Sequence, residues 1–107
     1  MNDYRYMRSI LFFDLPVETS KQRRAYVDFV KLLKSNGFFR IQKSVFCKMS
    51  IDSQNAELSI KAIKSKLPSE GVVMVLTITE KQFSGMQYLL GGYKTDIIES
   101  DERFIEL

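Results

Sequence analysis

The sequence predicts an α+β domain whose antiparallel sheet carries its helices on one face. Three observations lead there: two segments with apolar residues at helical spacing, several runs of branched and aromatic residues bounded by Pro or Gly, and the order in which these alternate. A length of 107 residues suits one core, because a chain of this size buries only roughly 60 to 65 per cent of the surface its unfolded form exposes. One domain over residues 1–107 is therefore expected, with a core over about 1–84 and an extension over 85–107 for dimer and partner contacts.

Arg5 to Phe13 reads as a first strand, halted at Asp14-Leu15-Pro16 because proline cannot continue a ladder. Thr19 with Gln22 three residues later forms a capping-box pattern, and Tyr26, Phe29, Val30 and Leu33 then line one helical face until Gly37. Phe38 to Met49 is a second β-type stretch, long enough for two short strands with Lys43-Ser44 at a bend, or for one bent ribbon. Asp52 or Ser53 caps a second helix, with Ala56, Ile60, Ile63 and Leu67 on its apolar face and Pro68 and Gly71 at its end. Val72 to Thr79 is a nearly unbroken branched run, as expected for a strand buried on both faces.

Strand, helix, strand, strand, helix, strand is the ferredoxin-like split βαβ order. Its sheet leaves one face open, and with Phe12, Phe46 and their neighbours on that sheet, a two-fold homodimer is the expected cover. After Thr79 come a short Glu80 to Ser84 segment, an apolar piece Met86 to Leu90, the pair Gly91-Gly92 and a loosely alternating tail, Ile97 to Leu107. That surplus suits an extra C-terminal strand pairing with the sheet edge of a partner chain.

Composition excludes several classes of function. No apolar stretch approaches the roughly 20 residues of a membrane-spanning helix, and Ile10 to Phe13 is shorter than a signal-peptide core, so the expected location is the cytoplasm, away from membranes. There is one cysteine, Cys47, and no histidine, which removes the usual triads and the commonest transition-metal ligand. Cys47 in a β-type run reads as a buried structural thiol. A metal here would be a hard, oxygen-ligated ion such as Mg²⁺. Neither a P-loop nor a dinucleotide-binding glycine pattern is present, which argues against nucleotide-cofactor chemistry and a small-molecule substrate.

Sixteen Lys and Arg against thirteen Asp and Glu give a net charge of +3. Basic residues dominate from Lys21 to Lys66, while Asp96, Glu99, Asp101, Glu102 and Glu106 gather in the tail. Arg24, Lys31 and Lys34 lie off the apolar face of the first helix, where a solvated surface is the ordinary reading. Arg40, Lys43 and Lys48 fall in the β segment among Phe38, Phe39 and Phe46, and in a dimer they would double into a basic strip suited to phosphates. Asp14 ends the first strand; by itself it is a turn residue before Pro16, but a two-fold axis bringing two copies together would require a cation or a shared proton between them.

Phe13-Asp14-Leu15-Pro16, then Thr19, Arg23, Ala25-Tyr26 and Phe29, then Gly37-Phe38, Arg40, Gln42, Ser44-Val45-Phe46, and later Thr77 to Phe83, resemble the Cas-two family of CRISPR-associated proteins, most closely its type II-A branch. The resemblance implies a ferredoxin-like homodimer between two dimers of the Cas-one integrase, gripping double-stranded DNA by its phosphates during spacer acquisition, without reading base sequence. It also implies an alternative, a Mg²⁺-dependent endonuclease on DNA or RNA with Asp14 of each chain at the dimer axis as metal ligand and catalytic residue. By position Phe13, Ser44 and Phe46 fall at the dimer cleft, and Arg23 and Arg24 join Arg40, Lys43 and Lys48 as nucleic-acid contacts, with Arg23 and Arg24 the looser matches. Phe13 stands where many relatives carry tyrosine. The scaffold reading is the main expectation, since two carboxylates are a thin ligand set for hydrolysis; a stand-alone ribonuclease of related fold is a third reading, and it would have no use for the tail.

Overall fold

The structure, a computed structural model, describes residues 6–92. The acidic residues of the tail and the expected C-terminal strand over Ile97 to Leu107 lie outside them. Four strands form one sheet in the order β2-β3-β1-β4: β1 Met7–Asp14, β2 Phe39–Gln42, β3 Val45–Ser50 and β4 Val72–Thr79. The neighbours are all antiparallel. The helices are α1 Ser20–Ser35, α2 Ser53–Lys64 and a short α3 Glu80–Phe83. The expected α+β order and antiparallel sheet are therefore present, and Lys43-Ser44 is a turn between two strands.

Local chemistry sets the boundaries. Thr19 accepts from the Gln22 backbone N–H while the Gln22 side chain accepts from Thr19 N–H, the reciprocal box that starts α1. Asp52, not Ser53, caps α2 by accepting from Asn55 N–H at 2.8 Å. Gly37 ends the α1 turn at φ +88°, a conformation that side chains disfavour.

Strand alternation divides the sheet into two unlike faces. Leu11 and Phe13 of β1 join Phe46 of β3, Phe29 and Leu33 of α1, Phe38 and Ile63 in one buried cluster, so both long helices pack on this face. The rings of Phe13 and Phe29 meet edge to face at 5.3 Å. Ile10 and Phe12 point to the opposite face, together with Cys47 and Met49 of β3 and Val72, Met74 and Leu76 of β4. Ile10 and Cys47 are buried there, but Leu76 is 53% exposed and Met74 58%.

Two expectations require correction. Phe46 does not lie on the open face: it pairs with Leu11 and is 0% exposed in the helix-side core. Nor is β4 buried on both faces, because it is an outer strand whose helix side is only partly covered and whose other side is open. An unbroken apolar run records that both faces are apolar, without fixing what covers them.

Candidate nucleic-acid site at the end of the first strand

Asp14 is the last residue of β1, held opposite Val72 by the β1–β4 ladder, and its side chain is exposed. By alternation it shares the open face with Ile10 and Phe12. One residue earlier, Phe13 N–H donates to the Ser44 carbonyl at 3.1 Å, which brings the Lys43-Ser44 turn to the same end of the sheet. Lys43 is exposed and Ser44 partly so. A carboxylate, an ammonium and a turn thus converge at one sheet end.

The remaining predicted residues are distributed differently. Arg40 pairs with Phe46 across β2 and β3, on the helix side, and its guanidinium carbon lies 5.1 Å from the centroid of the Phe46 ring. Lys48 also points to the helix side, where its Nζ donates to the Asn36 carbonyl at 2.7 Å beyond the last turn of α1. A cation at that position complements a helix C-terminus, so Lys48 has a structural task. Arg40 and Lys48 thus lie on the sheet face opposite Asp14, and the structure does not assemble them with Lys43 into one strip around it. Arg23 donates to the Val17 and Glu18 carbonyls at 3.0 Å, bracing the β1–α1 loop, and Arg24 is exposed. Phe13 and Phe46 are core residues, which leaves Ser44 as the accessible member of the three expected at a cleft.

Sequence reasoning missed the network around Arg8, on the open face of β1. Arg8 forms a fork with Glu80, Nε to Oε1 at 2.9 Å and Nη2 to Oε2 at 2.7 Å, and donates from Nη1 to Cys47 Sγ at 3.2 Å. Burial opposes the charge of Arg8, but the bonds to Glu80 and Cys47 outweigh it and hold the guanidinium more firmly protonated than usual. Burial pushes the Cys47 thiol up, with Arg8 only partly countering it. The sole sequence signal was a cation within an apolar β run; its carboxylate partner lies 72 residues away.

A four-stranded antiparallel sheet with a helix layer on one face and a carboxylate at the mouth of its first strand defines a small ferredoxin-like protein with a candidate phosphate-handling end. The profile described as CRISPR associated protein Cas2 matches residues 7–86, and the chain belongs to that family. It is 44% identical over 101 residues to a protein of Treponema denticola named CRISPR-associated endoribonuclease Cas2, covering 94% of this chain and 100% of the relative. A protein of the same name from Ligilactobacillus salivarius is 46% identical over the same shares. A solved structure titled "Crystal structure of cas2" superposes with a TM-score of 0.59 at 20% identity over 94% of this chain and 99% of the other, a likeness of fold.

Proposed function

We propose that this chain acts in CRISPR immunity as a homodimeric, Mg²⁺-dependent endoribonuclease in which Asp14 of each protomer faces its copy across the two-fold axis. The observation that carries this reading is Asp14 itself, an exposed carboxylate set by the final rung of β1 on the apolar, open face of the sheet. The curated relatives of this length, named endoribonucleases, favour it over a purely structural role. A dimer through the open face would cover Met74, Leu76, Met49 and Phe39, whose exposure in a single chain is large.

Carboxylate oxygens suit a hard cation, and a pair of Asp14 side chains supplies a minimal protein share, leaving the other positions to water and phosphate oxygens. Bound there, Mg²⁺ would activate water and offset charge on the phosphate. The chain's own part is to fix Asp14 through the ladder, to present Lys43 to an incoming phosphate, and to draw the polyanion with exposed cations such as Arg24 and Arg40. The test is cleavage of single-stranded RNA with and without chelator: activity should need the divalent ion and vanish in Asp14→Asn, while equal cleavage by wild type and variant would refute the assignment.

A second reading is favoured by one observation: Arg24, Arg40 and Lys43 are exposed cations, whose contacts with phosphates need no metal. In it the dimer is a non-catalytic cytoplasmic scaffold that holds duplex DNA between Cas-one integrase dimers by its phosphates. Integration of labelled DNA by a reconstituted complex separates the two. Asp14→Ala leaves integration intact under the scaffold reading, whatever it does to RNA cleavage.

A further inference from the structure

Arg8 sits inside the open face of the central strand, with Ile10 and Phe12 following on the same side. Its side chain is 13% exposed, and a cation so placed requires partners because burying one unpaired is costly. It has three: the Glu80 fork, the Cys47 thiol, and the ring of Phe83, whose centroid lies 4.2 Å from the guanidinium carbon. Glu80 and Phe83 are the first and last residues of α3.

That helix needs outside support. It has four residues and none is buried, whereas isolated helices of this length do not persist in water. Thr79 and Gln82 close its first turn with a capping box, and Glu80 N–H donates to the Tyr6 carbonyl at 2.9 Å, one step beyond the β1–β4 ladder. Those bonds fix where α3 begins. Arg8 grips both of its ends.

We propose that Arg8 anchors the C-terminal part of the chain: by clamping Glu80 and Phe83 to the sheet, it sets the direction in which the backbone leaves β4, so that everything after Ser84 starts from a fixed point. Arg8 is here a positioning residue, and the inference is independent of any nuclease activity. A flat fork is required, since one group must bind both carboxylate oxygens and stack on a ring.

Residue-resolved amide hydrogen exchange on the full chain tests this. The N–H groups of Ser84, Gly85 and Met86 close α3 by donating to Glu80, Gln82 and Phe83 carbonyls. In Glu80→Gln they should exchange about 10- to 100-fold faster, the loss expected when charged hydrogen bonds become neutral ones. Arg8→Lys, which keeps the charge but not the fork, should accelerate them less, while β3 amides keep wild-type rates in both variants. Unchanged rates at 84–86, or acceleration of β3 by the same factor, would overturn the proposal. Should Glu80→Gln fail to fold, Arg8→Lys alone decides on the same two comparisons.

Discussion

Gly71 links the backbone of the candidate site to the stability of the fold. It has φ +97°, and a Cβ placed there would stand 2.6 Å from the Asp14 carbonyl oxygen and 2.6 Å from Leu15 Cδ2. Gly71→Ala therefore forces a side chain into a conformation costing on the order of 1 to 3 kcal/mol. It also pushes against backbone that cannot swing aside, an overpacking cost of about 1 to 3 kcal/mol. A stiffer unfolded chain returns roughly 0.4 to 1 kcal/mol, leaving a net loss of about 1 to 5.5 kcal/mol. In a domain of this size that lowers the melting temperature by about 4 to 40 °C. Urea unfolding monitored by circular dichroism measures it, with Gly92→Ala as control because a Cβ there meets nothing within 4 Å. The displaced carbonyl belongs to Asp14, so RNA cleavage should fall further than the folded fraction alone explains. A Gly71→Ala stability within about 0.5 kcal/mol of wild type would refute the packing argument.

Phe46→Ala should cost about 3 to 5 kcal/mol of folding stability in urea titration; a variant that folds normally yet fails to dimerise would return Phe46 to the open face. Cys47 should resist alkylation at pH 8, since its raised pKa keeps the thiol neutral there. In the unfolded chain the thiol ionises near its ordinary value of 9.0, so stability should begin to fall as pH rises past that value, because the unfolded state then binds fewer protons than the native one. Cys47→Ala should flatten that alkaline decline, and an unaltered pH profile would argue against the assignment. Arg40→Glu with Lys43→Glu should weaken nucleic-acid binding for all sequences alike and flatten its salt dependence; a loss confined to one sequence would contradict a phosphate contact.

Elements were legible wherever local chemistry decides them. The Thr19 and Gln22 box, Gly37, and the apolar spacing of Phe29 and Leu33 each carry their own signal, and the structure follows them. Faces were less legible. Phe46 and Cys47 are adjacent, and the polar residues Lys48 and Ser50 that follow alternate in phase with Phe46, so the local pattern points Phe46 away from the helices; the register Leu11 with Phe46 and Ile10 with Cys47 overrides it. The β2–β3 and β1–β4 registers send Arg40 and Asp14 to opposite faces, although the sequence offers both as candidate site residues. Lys48 resembled a phosphate ligand because its actual acceptor, the Asn36 carbonyl, is backbone and leaves no trace in a sequence. Arg8 went unnoticed for the opposite reason: its carboxylate belongs to a helix too short to show a period.

The shared site can be tested by counting carboxylates. Wild-type and Asp14→Asn chains, unfolded together in varied ratios and refolded so that subunits mix at random, would be assayed for Mg²⁺-dependent RNA cleavage. If each active centre needs Asp14 from both protomers, activity follows the square of the wild-type fraction, and an equal mixture retains about one quarter of it. Activity that falls in direct proportion, to about one half in the equal mixture, would mean that each chain works alone and would contradict a centre on the two-fold axis.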